Sequence, residues 1–224
     1  MTFVMPPNLA PIFHLPIWFD LGATFCFAMT GGIVAMKRGY DVVGVASLAL
    51  LVGLGGGLIR DGLFIQQGPP AMATDPRYIQ VALLGACAGA LLGDRVERFR
   101  RVIAAIDAVG LGAYAVFGVG KSLGAGLAVP AAVLVGVINA AGGGLLRDVI
   151  TNEEPLVFRP GQFYALVALA AAVLFVTFTV QLRWSATTSG SVVIGLTFLF
   201  RVLSIAFNWK TAALAPASTA PPAR

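Results

Sequence analysis

The phrase Gly55-Gly56-Gly57-Leu58-Ile59-Arg60-Asp61 returns 87 residues later as Gly142-Gly143-Gly144-Leu145-Leu146-Arg147-Asp148. Each copy closes a long apolar run. A glycine within a helix costs roughly 1 kcal/mol relative to alanine. An Arg-Asp pair beside hydrocarbon costs more unless it faces protein or water. So costly a feature, occurring twice in register, restricts the chain to folds with two related halves and reads as functional rather than as packing.

The surrounding sequence sets the solvent. Of 224 residues 58% are hydrophobic and 11% charged, and the mean hydropathy is +0.88. A soluble domain carries about 25% charged residues, so there is too little polar side chain here to face water all round. The chain is an all-α polytopic membrane protein. Strand-length alternation of the kind that builds membrane barrels is absent. The net charge of +5 does not imply a nucleic-acid partner, because the basic residues sit at the ends of apolar runs and form no patch.

A membrane helix needs about 20 apolar residues. Seven runs qualify: Pro16 to Lys37, Asp41 to Arg60, Arg77 to Asp94, Val102 to Gly120, Lys121 to Arg147, Arg159 to Arg183, and Thr188 to Trp209 with Arg201 inside it. Seven spans place nine Lys and Arg residues on one side and four on the other. The richer side is cytoplasmic by the positive-inside rule, so the amino terminus lies outside and the carboxyl terminus inside. Residues 1–19 hold no Lys or Arg, which argues against a cleavable signal peptide. The basic linker Arg95 to Arg101 reads as a topology determinant, with anionic lipid head groups as a second possible partner.

The duplication extends beyond the glycines. Asp20 and Asp107 are also 87 apart, and Tyr78 and Tyr164 are 86 apart. Three spans per half is an odd number, so the second half enters from the opposite side, a plan typical of transport proteins. The expected layout is an extracytoplasmic segment over 1–15, a first three-helix repeat over 16–100, an inverted repeat over 101–183, a seventh helix over 184–210 and a disordered cytoplasmic tail over 211–224.

Gly55, Gly56, Gly57, Gly142, Gly143 and Gly144 fall in spans 2 and 5, which are expected to break there. A break frees backbone groups that lipid cannot satisfy, so it must face protein or a wet cavity. Its carbonyl oxygens can replace part of a cation's hydration shell. Arg60, Asp61, Arg147 and Asp148 admit two readings: charged vestibules that attract cations, or salt bridges that clamp a loop to the helix end. Lys121 is either a snorkelling interfacial residue or an ammonium that gates a mouth. Asn139 either lines the path or bonds between helices, and Thr30 and Ser122 are weaker candidates of the same kind. Cys26 and Cys87 read as small buried hydrophobes and the single histidine, His14, as an interfacial residue. No metal site, catalytic set or cofactor is expected, and the chain is not read as an enzyme.

With its doubled Gly-Gly-Gly-x-x-Arg-Asp and three-plus-three-plus-one layout, the chain resembles the trimeric intracellular cation channel family, in its prokaryotic members. The resemblance covers roughly residues 16–208. It implies a homotrimer with a pore inside each subunit, kinked second and fifth helices lining that pore at the triplets, and conduction of monovalent cations, chiefly potassium. It also makes Lys121 the nearest match to a basic residue linked to gating in animal members. The basic carboxy-terminal extension of those members is not evident in Thr211 to Arg224. The bacterial family has also been labelled as glycine transporters. The alternative function is thus a secondary transporter for a small solute such as glycine, since inverted repeats serve carriers as well as channels.

Overall fold

The protein is described by a computed structural model that covers residues 13–93, 100–158, 163–207 and 209. The expected tail over 211–224 and most of the basic linker lie outside the described residues. Every described regular element is helical: α1 Trp18–Lys37, α2 Val42–Ile59, the short α3 Ala71–Thr74, α4 Arg77–Gly93, α5 Arg100–Gly124, α6 Val129–Ile150, α7 Tyr164–Val176 and α8 Ala186–Ala206. Two helices end in wider π-turns, α2 over Arg60–Ile65 and α7 over Thr177–Gln181. Among the described residues, six helices are long and apolar enough to cross a membrane, and Arg77–Leu92 is a shorter apolar helix.

Local chemistry sets the boundaries. The Asp41 carboxylate accepts from the Gly44 amide at 2.8 Å and caps α2. Ser185 does the same for α8 through the Thr188 amide. Lys121 bounds the fourth and fifth apolar runs; α5 continues one turn past it to Gly124, the chain turns at Gly126 with φ +88°, and α6 starts at Val129. Pro130 in its first turn needs no amide partner there. Lys121 lies in the last turn of α5, at the end of the fourth span.

α1 packs against α2, α4 and α5, while α5 packs against α1, α6, α7 and α8. α2 and α6 cross one another. Phe27 of α1 stacks on Tyr114 of α5, with ring centroids 5.3 Å apart, in the fully buried centre. Phe27 and Tyr114 are themselves 87 residues apart.

The expected break at the triplets is not what the backbone does. α2 and α6 remain α-helical through Gly55–Gly57 and Gly142–Gly144, and the Gly56 and Gly57 carbonyls both receive the Arg60 amide. The glycines instead permit close approach. A Cβ on Gly56 would run into the Asn139 carbonyl oxygen, and one on Gly143 would sit 2.5 Å from the Val52 carbonyl oxygen. A Cβ on Gly142 would sit 3.1 Å from the Gly56 Cα. These contacts reciprocate: Gly56 and Gly143, like Val52 and Asn139, are 87 residues apart. Gly31 against Ala49 and Val52 is matched in the same way by Gly118 against Gly136 and Asn139. Peptide meets peptide at the crossing, and any side chain would hold the two helices apart.

The cysteines also depart from expectation. Cys26 is half-buried and Cys87 exposed, and both are free. Cys87 faces away from the chain on α4, where apolar character suits a lipid or subunit neighbour as well as a core.

Candidate functional site

Two polar knots occupy the interior, one in each half. In the first, Arg60 is 1% exposed. Its Nη1 and Nη2 donate to the two Asp20 carboxylate oxygens at 3.0 and 3.1 Å, and its Nε and Nη2 donate to Asp61 at 2.7 and 3.2 Å. The Tyr78 hydroxyl donates to Asp20 Oδ2 at 2.6 Å. α1, α2 and α4 each supply a member. A guanidinium fork matched to two carboxylates is the geometry that makes a buried ion pair tolerable.

The second knot repeats the plan more loosely. Arg147 donates to Asp148 at 3.0 Å, to Asp107 at 3.3 Å and to the Thr30 hydroxyl at 3.3 Å. Tyr164 holds the place of Tyr78, but its hydroxyl and Asp107 Oδ2 are buried without a hydrogen-bond partner.

The motif aspartates also tie down the chain that follows. Asp61 Oδ2 accepts from the Ala71 amide at 3.1 Å, and Asp148 Oδ2 accepts from the Leu156 amide at 3.0 Å. The turns after them match too: the Gln66 amide donates to the Asp61 carbonyl at 2.9 Å, and the Glu153 amide to the Asp148 carbonyl at 2.7 Å. In both halves the motif aspartate thus bonds at once to its neighbouring arginine and to the chain that follows the helix.

Both motif aspartates also face open space. A cavity of about 640 Å³ at the carboxyl end of α5 is lined by Asp61, Lys121, Phe117, His14 and Gln67, among others. A second, of about 540 Å³ at the amino end of α5, is lined by Asp107, Arg147, Asp148, Lys37, Arg38 and Arg201, among others. The two share no lining residue. Between them lie the glycine crossing and the Phe27–Tyr114 stack. The Tyr114 hydroxyl donates to the Gly53 carbonyl and pairs with the Thr24 hydroxyl at 2.9 Å.

Lys121 is neither free at the interface nor withdrawn. Its ammonium donates to Asp61 Oδ2 at 2.8 Å across the first cavity, with the side chain one-third exposed. Asn139 bonds between helices, its amide donating to the Tyr114 carbonyl at 2.8 Å, while its Oδ1 is buried without a partner. Ser122 is buried with its hydroxyl unpartnered. At the surface, outside the spans, hydrogen bonds from Arg77 hold the Asp75 carboxyl below the usual carboxylate range.

Asp20, Asp107, Tyr78 and Tyr164 appear in the sequence only as markers of the repeat, and Tyr114 does not stand out at all. A signal for the aspartates was present. A carboxylate inside an apolar run requires a cation, and Asp20 precedes Arg60 by 40 residues as Asp107 precedes Arg147. Arg201, 2% exposed on α8, has its guanidinium 5.4 Å from the centre of the Tyr164 ring.

A family model described as glycine transporter matches the chain twice, over residues 17–93 and 104–180. The inner membrane protein YadS of Escherichia coli K12 is 32% identical over 201 residues, covering 88% of this chain and 94% of YadS. A membrane protein of Deinococcus radiodurans is 37% identical over 156 residues, covering 69% of this chain and 72% of its own. The fold is similar to that of a TRIC trimeric intracellular cation channel orthologue from Rhodobacter sphaeroides, with a TM-score of 0.79 and 29% identity over 85% of this chain and 97% of that one. A structure reported for conductance through TRIC cation channels gives a TM-score of 0.76 and 29% identity over 90% and 98%.

Proposed function

This chain belongs to the glycine-transporter family, as a prokaryotic relative of the TRIC channels, and from that premise we propose that it is a passive monovalent cation channel, permeable to potassium. One path runs through each subunit of a homotrimer. The observation that carries the reading is the pair of cavities at opposite ends of α5, each lined by the motif aspartate of one knot, Asp61 in the first and Asp148 in the second, and separated by the α2–α6 crossing. The topology is seven spans, with α4 as the third and α8 outside an inverted three-plus-three repeat. The Lys121 cavity opens outward and the Arg201 cavity toward the cytoplasm.

The path runs from Asp61 and Lys121, past Asn139 and the glycine triplets, to Asp107 and Asp148. The triplets serve it as the thin part of the wall, since a crossing without side chains needs little movement to part. Lys121 closes it by sitting on Asp61, where its charge opposes an approaching cation and occupies the carboxylate that would receive one. Lys121→Ala is expected to raise open probability and flatten its voltage dependence, because moving one charge across the whole membrane is worth about 2.3 kcal/mol per 100 mV. A single-channel record identical to wild type would make Lys121 an anchor only.

Purified protein in liposomes under a potassium gradient is expected to set the membrane potential with no coupled solute. Uptake of radiolabelled glycine that depends on a proton or sodium gradient, without ionic current, would instead establish a carrier, the activity the family's description names.

A further inference from the structure

Arg201 stands outside both knots. It lies on α8, beyond the two segments that the family model matches, and its charge is buried in the body of the chain. Among the described residues it forms no ion pair and no hydrogen bond, its Nε is buried without a partner, and its one charge-related contact is the Tyr164 ring. The other buried cations described in the spans, Arg60 and Arg147, each have at least one carboxylate. An ionised side chain inside a membrane segment is retained only with a counter-charge or a task.

Arg201 lines the second cavity, where four basic residues, Lys37, Arg38, Arg147 and Arg201, meet three acidic ones, Asp107, Asp148 and Glu153. The acids are already engaged. Asp107 and Asp148 bond Arg147, and Glu153 bonds Arg38 at 2.8 Å. The pocket carries one net positive charge, and two of its cations, Lys37 and Arg201, have no carboxylate among the described residues; of these Arg201 is the buried one, and its planar fork is shaped for two oxygens. The first cavity, by contrast, balances Lys121 against Asp61.

We propose that Arg201 anchors a site for a small soluble oxyanion, of carboxylate or phosphate type, in this cavity. A lipid phosphate offers the same chemistry, but the cavity's rim includes Arg38 and Glu153, 39% and 47% exposed in an ion pair that belongs in water. The bound anion cancels the surplus charge at this end of the path and so lowers the barrier to cations there. This last step rests on the channel reading, whereas binding does not.

Two measurements separate the claims. First, the melting temperature of the full chain in neutral detergent is followed as acetate or inorganic phosphate replaces chloride at constant potassium. A saturable rise is expected for wild type, absent in Arg201→Gln and weakened in Lys37→Gln, a rim change that leaves the core intact. Second, in phosphatidylcholine bilayers the same replacement on the side of the carboxyl terminus is expected to raise potassium conductance by roughly two- to tenfold, the order expected when one unit charge is neutralised near a partly solvated path. No saturable rise in wild type, or one that persists in both variants, overturns the site. A response to anionic lipid alone, with none to acetate or phosphate, assigns the guanidinium to a head group and overturns the soluble ligand. A rise in melting temperature with no current in any condition keeps the site and removes the channel.

Discussion

Arg60→Gln is expected to destabilise the protein by about 3–5 kcal/mol, the cost of leaving buried carboxylates without their cation. Arg60 serves Asp20 and Asp61 through four hydrogen bonds of 2.7–3.2 Å. Without it, Asp20 keeps only the Tyr78 hydroxyl in a site with no solvent access. The same change at Arg147 should cost less, because its bond to Asp107 is single and 3.3 Å long and Asp107 already has an unpaired oxygen. Thermal unfolding of both variants in one detergent measures the difference. The double variant Arg60→Gln with Asp20→Asn should recover part of the loss, since neither charge is then stranded. Equal melting temperatures for the two single variants would show that the tight knot and the loose one contribute alike.

Valine at Gly56 or Gly143 is expected to block folding before conduction can be tested. The new Cβ at Gly143 would stand 2.5 Å from the Val52 carbonyl oxygen, and a backbone oxygen on a packed helix cannot swing aside. Overpacking costs about 1–3 kcal/mol even where side chains can adjust, and here the obstacle is main chain on both sides. Gly22→Ala and Gly62→Ala are the controls, because nothing lies within 4 Å of a Cβ at either position. The yield of folded protein by size exclusion should fall sharply for the two valine variants and stay at the wild-type level for the two controls. Wild-type yield and melting temperature for Gly143→Val would mean that α2 and α6 can separate at no cost.

Much of the architecture is legible from hydrophobic run length. The bounds of α1, α4 and α8 fall within a few residues of the charges that flank them. The duplicated motif and its spacing are legible because they are literal repeats. What the triplets do is not. Loss of side chains lowers helix propensity and also permits close helix contact, and sequence alone carries both signals. Lipid decides between them: it cannot hydrogen-bond a freed carbonyl, so a helix that meets another at peptide distance stays helical. The knots were half legible. Asp20 and Asp107 carried the right spacing, but their partners lie one or two helices away, and a distance of 40 residues means nothing until α1 and α2 are folded side by side. The Lys121–Asp61 pair was hidden in the same way, since it joins the two halves.

The first knot closes within residues 20–78, drawing on α1, α2 and α4, whereas the second uses Asp107, Arg147 and Asp148 of its own segment together with Thr30 of the first. The crossing needs both segments, and it presents the same surface to each. Each unit thus holds its own guanidinium–carboxylate pairs, while the glycine contacts, with Arg147–Thr30 and Lys121–Asp61, join it to its mate. A half-length peptide of this design would carry its own ion pairs and one face of the crossing, so fusion of two such halves makes permanent a partnership whose contact surface each half already holds.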